Sequence, residues 1–302
     1  MSGKTQPEGK FAGATAEGTV EIHHANQLRS AEFKKLMRKP SIWACLIGFA
    51  ILGGVIAEAW LGLGVLGGIV VFAVIVLIIF GFADQRAEDA FYDYYCQTHG
   101  LTRIPDPEIG ELTPLLRKGD KSNTDEIFSG RLAKGVEGEL VLWTYTEVHQ
   151  DSDGSDTETN YPFTFVHVEM PEIIQHMSDL RVQRAGFKVF DKVQDKFLGD
   201  FKRVTLESDA FAKRFEVFVK KDQDEVWTRR LFSPSFIVWL TENPPDSFAF
   251  ELEDGHLIAY VEKHMDDSAK LEEITDAGST VAARLLEEVA QTSPRAQREI
   301  GH

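Results

Sequence analysis

The hydrophobic pattern is dominated by an apolar run over residues 41–83, in which Glu58 is the single formal charge. A helix needs about 20 apolar residues to cross about 30 Å of hydrocarbon, and this run is about twice that length. Glu58, Trp60 and Gly62 suit a tight turn at a membrane surface. The run therefore predicts a two-helix transmembrane hairpin at 42–83. A cleaved leader or one tilted span fits less well, because a long polar segment precedes the run and one crossing is too short for it.

Basic residues just before the run predict its orientation. They are Arg29, Lys34, Lys35, Arg38 and Lys39. By the positive-inside rule the N-terminus faces the cytoplasm, and two spans return the chain to the same side. We therefore expect a multi-pass protein of the cell membrane, with the lipid bilayer as a partner and with the N-terminus and C-terminal domain cytoplasmic. The two cysteines, Cys45 and Cys96, are too few for a disulfide framework, which suits a reducing compartment.

Gly64 and Gly68, four residues apart in the second predicted span, would allow close packing of transmembrane helices. The contact would form within the hairpin or between two chains, so a homo-oligomer stays an open alternative. The plainer alternative is that these glycines only fill an apolar span. Residues 62–67 match a dinucleotide-binding fingerprint by letter, but no strand precedes them, so no cofactor is predicted.

After the run, apolar residues recur at helical steps over 84–98 and then alternate as in strands. The longest predicted strands, 138–148 and 161–170, flank a polar loop at 151–158. Further strands are predicted at 201–206, 215–219, 248–252 and 257–261, and helices at 208–213, 233–240 and 271–289. Since strands and helices intermix without strict alternation, the predicted fold is an α+β soluble domain following an α-helical two-span transmembrane hairpin.

Composition divides the chain further. The predicted segments are a flexible basic tail at 1–41, the hairpin at 42–83, a juxtamembrane helix and linker at 84–105, a cytoplasmic α+β domain at 106–291 and a flexible tail at 292–302. Within the first tail, residues 24–39 can form a short amphipathic helix, and a solvated basic anchor is the alternative. The first segment holds seven Lys/Arg and four Asp/Glu, whereas 25 basic and 43 acidic residues follow Ala83. An acidic domain repels phosphate backbones, so nucleic acid is not an expected partner.

Motifs in the second half carry a family resemblance. They are Leu206-Glu207-Ser208-x-x-Phe211-x-x-Arg214-Phe215-x-Val217, then Asp224, Leu231-Phe232-Ser233-Pro234-Ser235-Phe236 and Phe250-Glu251-x-x-x-Gly255-x-Leu257. Over about residues 200–265 the chain resembles an uncharacterised bacterial family, the domain of unknown function numbered thirty-one thirty-seven. The resemblance implies a two-span hairpin ahead of the domain and implies no activity. Ser233 departs from it, since such proteins often have Thr there.

No spacing typical of catalysis or metal binding is present. The chain has no G-x-S-x-G, Walker loop, H-E-x-x-H or paired C-x-x-C, so no catalytic, cofactor-binding or metal-ligating residue is predicted. His167 and His176 are expected to be surface or hydrogen-bonded histidines. Glu207, Asp209 and Arg214 are expected to form a structural ion pair.

The polar loop at 151–158 resembles a calcium loop in composition. However, its glycine is fourth rather than sixth, and its flanks are strands rather than helices. We therefore favour a solvated hairpin tip, and weak calcium binding stays the alternative.

The function favoured by the sequence is a membrane-anchored cytoplasmic interaction or scaffolding module, with a protein partner at the inner membrane face. Its acidity favours a partner with a basic patch. The alternatives are a membrane-proximal enzyme of unknown reaction and a subunit of an oligomeric channel. Perturbed carboxylates lining a deep pocket would favour the enzyme, whereas an exposed apolar patch would favour the module.

Overall fold

In the computed structural model, the described residues are 88–150, 154–177, 179–185, 198–265 and 267–292, together with Ile51, Val55, Ile69, Val70, Ala73 and Val74. The chain divides into two compact units, Met1–Tyr95 and Cys96–His302. In the first unit, the six isolated residues are helical with exposed side chains, and residues 88–95 are helical. The second unit contains helical residues 96–99 and then the sheet and helices below.

One nine-stranded sheet, antiparallel at each pairing, organises the second unit. Its strands are β1 (Thr102–Arg103), β2 (Lys121–Arg131), β3 (Glu137–Gln150), β4 (Asp156–Glu169), β5 (Asp179–Arg184), β6 (Phe201–Val204), β7 (Phe215–Lys220), β8 (Ala249–Glu253) and β9 (His256–Val261). Their order is β1-β2-β3-β4-β9-β8-β5-β7-β6. The β3–β4 and β8–β9 hairpins therefore lie side by side, joined through β4 and β9.

Among the described residues, four complete helices accompany the sheet, and short local signals start three of them. They are α1 (Asp209–Ala212), α2 (Glu225–Leu231), α3 (Pro234–Glu242) and α4 (Ser268–Thr292). The Ser208 hydroxyl accepts the Phe211 N–H at the start of α1, and the Asp224 carboxylate accepts the Val226 N–H at the start of α2. Pro234 opens α3, where its missing N–H costs no hydrogen bond. Short 3-10 turns lie at Ala133–Gly135, Pro171–Ile173 and Leu198–Asp200.

The two faces of the sheet are covered by different elements. On one face, Leu115 and Leu116 of the segment 104–118 join a buried cluster with Trp143 and Phe163. On the other, α4 packs against β4 and β9. Alternation along each strand produces this arrangement, since successive side chains point to opposite faces.

The predicted fold class has to be corrected. The described part of the chain is a β-rich unit built on one antiparallel sheet, not an α+β domain behind a membrane hairpin. Among the described residues, no helix combines the length and the apolar sequence needed to cross a bilayer. The 25-residue α4 is long enough, but its sequence is rich in charged residues.

The predicted hairpin at 42–83 itself lies outside the described residues, apart from the six named above. An apolar run shows that burial is favourable, whereas a span also requires an unbroken apolar helix of about 20 residues. The transmembrane and cell-membrane predictions required such a helix, and the part of the chain that the structure describes contains none, so both are corrected. The cytoplasmic placement of the termini depended on the two spans, so it is withdrawn as well. The lipid bilayer as a partner is not tested by this finding and stays a prediction.

Candidate functional site

A surface cavity of about 410 Å³ lies among the residues that follow β6 and those of α2 and α3. We call it the groove. It is lined by Leu206, Glu207, Ser208, Arg229, Phe232, Pro234, Ile237 and Val238. Binding sites for small molecules and side chains commonly enclose about 300–1,000 Å³, so the groove is large enough to receive part of a ligand.

Local sequence explains why the groove is held open. Ser208 caps α1, and the chain turns from α2 into α3 at Phe232, just before Pro234. The Phe232 ring contacts Phe211 edge-on at a centroid distance of 6.1 Å and lies 6.0 Å from Phe236. The lining thus rests on packed aromatic rings and on helix ends of fixed geometry.

The groove is apolar inside and charged at its rim. The Val238 residue is 52% exposed, although valine usually lies inside. The Glu207 carboxylate lies 4.0 Å from the Arg229 guanidinium, and these side chains are 95% and 60% exposed. An ion pair this exposed contributes little to stability. The Glu207 and Arg229 side chains can therefore give up their mutual contact and bind charged groups of a ligand at little cost in free energy.

The structure separates the residues predicted as one ion pair. Glu207 lines the groove and faces Arg229 rather than Arg214. The Arg214 guanidinium instead donates to the Thr241 carbonyl near the end of α3, and Asp209 lies in the first turn of α1. The prediction of a Glu207–Arg214 or Asp209–Arg214 pair is therefore wrong for the described residues.

Other predicted positions cannot be compared in this way. Gly64 and Gly68 lie outside the described residues, as do residues 151–153 of the polar loop. Helix packing by the two glycines and calcium binding by the loop both stay predictions.

Buried charges form a second group, under the segment 104–118. A Glu251 carboxylate oxygen accepts the Leu115 N–H at 2.7 Å, and burial raises the pKa of Glu251. Burial also lowers the pKa of Lys118 to about 8, against the opposing charges of Glu251 and Glu262. For Glu262, burial raises the pKa to about 7, and Lys118 opposes this. Carboxylates with perturbed pKa values lining a deep pocket were expected to favour an enzyme. Glu251 and Glu262 do not line the groove, so this expected combination is not found there. We assign Glu251 to holding the segment on the sheet.

A histidine pair forms a third group. His167 is 6% exposed, and its Nδ1 lies 2.9 Å from a Glu139 carboxylate oxygen. Its Nε2 lies 3.2 Å from Nδ1 of His256. His167 is therefore hydrogen-bonded, one of the two alternatives expected for it, and the His176 ring stacks on Trp227 at 6.2 Å. The sequence did not indicate His256, because the β4–β9 pairing joins residues far apart in the chain.

Comparisons with known proteins leave the function open. No family model matches the chain, and no curated protein matches it. The family resemblance therefore stays a prediction. Among solved structures, the chain is similar to the crystal structure of the mycobacterial trehalose monomycolate transport factor A, TtfA, at 10% identity and a TM-score of 0.44. That alignment covers 67% of this chain and 96% of the other. At this identity and score, the similarity supports no inference about function.

Proposed function

We propose that the second unit is a protein-binding module whose groove receives an apolar segment of a partner protein with a basic residue beside it. The observation that carries the proposal is the groove itself, with exposed Val238 inside and the Glu207 carboxylate at the rim. Exposed apolar side chains gathered in a concave surface are typical of interaction sites.

Charge decides which kind of segment fits. The whole chain has a formal net charge of −16, so its field attracts a basic partner and repels an acidic one. At the rim of the groove, the Glu207 carboxylate can accept hydrogen bonds from a partner. Among the described ion pairs, its one partner is Arg229, at 4.0 Å. A lysine or arginine of the partner would bind Glu207 while an adjacent apolar side chain contacts Val238 and Ile237.

The size of the groove indicates what it can contribute to binding. A stable interface buries about 800 Å² on each partner, and a few residues at its centre supply most of the affinity. A cavity of about 410 Å³ suits one anchor of such an interface rather than all of it. We therefore propose that the groove binds the central anchor of the interface and that the surface around the groove forms the rim of the interface.

The test uses the full chain and a set of labelled synthetic peptides, measured by fluorescence anisotropy. Each peptide carries leucine or phenylalanine anchors flanked by arginine, and a matched set carries glutamate instead. We expect the arginine set to contain binders. Val238→Lys should weaken their binding by about 10-fold or more, as loss of a central anchor does. Glu207→Gln should reduce the ratio of the affinity for the arginine peptides to the affinity for the glutamate peptides.

Val226→Lys provides the matched control, since Val226 is 67% exposed and lies outside the lining of the groove. It should leave binding unchanged. Absence of any binder in the arginine set, a preference for the glutamate set, or equal losses from the two lysine variants would each overturn the proposal. If the chain associates with itself in a way that Val238→Lys abolishes, the occupant is a second copy and the proposed partner is wrong.

A further inference from the structure

The histidine pair is part of a larger convergence of metal-ligand side chains. His167, Glu169 and His256 each offer one donor atom, and these atoms lie within 4.8 Å of one another. The sheet register produces this arrangement. Glu169 pairs directly with His256 across β4 and β9, and His167 lies two residues before Glu169 on the same face of β4.

The distance between the two imidazoles suits a shared ion. Nε2 of His167 and Nδ1 of His256 are 3.2 Å apart. Two nitrogens bound to tetrahedral zinc at about 2.0–2.1 Å are separated by about 3.3 Å. The two rings could therefore bind one ion with little movement of the strands.

Glu139 supplies the outer contact that such a histidine needs. It lies opposite His167 in the β3–β4 register, and its carboxylate accepts a hydrogen bond from Nδ1 of His167 at 2.9 Å when that nitrogen is protonated. This fixes the tautomer in which Nε2 presents its lone pair toward His256. Metal-binding histidines commonly bond a carboxylate through their second nitrogen in this way.

The turn before β9 holds His256 in place. Gly255 has φ +82°, and its carbonyl accepts the Met170 N–H at 2.7 Å. A Cβ at this glycine would meet the Met170 carbonyl oxygen at 3.1 Å, so the turn sits close against the end of β4. Glu169 is exposed, which gives an ion access from solvent.

We propose that His167, His256 and Glu169 bind one divalent ion of the zinc class, with Glu139 orienting His167. Two imidazoles and a carboxylate favour zinc and its neighbours over calcium and magnesium, which prefer oxygen ligands alone. Three protein ligands leave a fourth position of the tetrahedron for water. Without an ion, the same geometry is a hydrogen bond from His256 to His167, and the experiment separates these two cases.

The experiment uses the full chain, freed of metal with a chelator and titrated with zinc against a fluorescent chelator. Saturable binding of one zinc per chain is expected, with a rise in melting temperature that magnesium and calcium do not produce. His256→Gln and Glu169→Gln should each weaken zinc binding by about 10-fold or more, and Glu139→Gln by about 10- to 100-fold. Because Glu169 is exposed, its variant tests the site even if His256→Gln fails to fold.

His149→Gln is the matched control. His149 is an exposed histidine of β3 whose Nε2 lies 3.5 Å from a Glu147 carboxylate oxygen. It should bind zinc as the unaltered chain does. Lack of saturable zinc binding, or equal affinity in the Glu169→Gln and control variants, would overturn the site and leave the hydrogen-bonded pair as the correct interpretation.

Discussion

Glu262, just after β9, shows how burial makes a single carboxyl group sensitive to pH. Burial raises its pKa from the ordinary value of 4.5 to about 7, with Lys118 opposing the shift. The group therefore holds its proton more tightly in the folded chain than in the unfolded one. Its contribution to stability is fully present below about pH 4.5 and is lost as the pH rises through about 7.

Glu262→Gln should remove this dependence. We expect the variant to match the unaltered chain near pH 4 and to exceed it by about 1–2 kcal/mol near pH 7.5, after allowance for solvent screening of a half-buried group. The gain in stability is reduced because the variant also loses the attraction between the Glu262 carboxylate and Lys118. Urea unfolding at a series of pH values measures it. Glu242→Gln, at an exposed position of α3, serves as control, and a Glu262→Gln effect that is equally large at both ends of the range would contradict the assignment.

The metal-ligand group shows what residue-level reasoning can and cannot find. Alternation along β4 places His167 and Glu169 on one face, but the sequence analysis indicated only His167, and as a surface or hydrogen-bonded histidine. The third member, His256, joins them through the β4–β9 pairing, which the sequence did not specify. A search for local motifs therefore predicted no metal-ligating residue and missed the site.

Among the elements, α4 and β4 approach each other closely at Gly278 and Val166. A Cβ on Gly278 would lie 2.6 Å from Cβ of Val166 and 2.9 Å from its Cγ2. Glycine thus lets a helix approach the sheet more closely than any other residue would allow. In an exposed helix, replacing glycine by alanine would stabilise by about 1 kcal/mol, so intrinsic helix propensity and packing oppose each other here.

We expect packing to dominate, so that Gly278→Ala destabilises the chain by about 1–3 kcal/mol. Val166→Ala should also destabilise it, by creating a cavity. The double variant should be more stable than the sum of the two single effects implies, because the smaller strand residue makes room for the new methyl group. Urea unfolding of all four proteins completes the cycle. Additive effects would show that the helix moves away without resistance.

The sequence predicted helices and strands whose apolar residues recur with a clear helical or strand period, and it missed β5, in which that period is weak. Strands expected at 138–148 and 161–170 correspond to β3 and β4, and residues 88–98 of the helix expected at 84–98 are helical. β5 was missed because its short sequence, Asp-Leu-Arg-Val-Gln-Arg, has only two apolar residues, and its burial comes from flanking strands. The order of the strands in the sheet could not be predicted from the sequence, because the β4–β9 and β5–β8 pairings join distant parts of the chain.

For the whole molecule, charge and shape act on different steps of the proposed binding. The net charge of −16 acts at a distance, over about 10 Å at 0.1 M salt, and therefore affects how often a basic segment arrives. The groove acts only on contact, so Val238 and Ile237 affect how long the segment stays. Rim charges generally change association rates, whereas buried contacts change dissociation rates.

This separation gives a kinetic prediction for an arginine-flanked peptide that binds the full chain. Raising sodium chloride from about 20 to about 200 mM should slow association by about 10-fold and leave dissociation nearly unchanged, because salt screens the long-range field but not the apolar contact. Val238→Lys should mainly speed dissociation, beyond the small change in association expected from one added positive charge. Stopped-flow fluorescence measures both rates, and Val226→Lys supplies the charge-matched control. If salt slowed neither step, or if the two lysine variants changed only association and by equal amounts, the groove would not be the surface that holds the peptide.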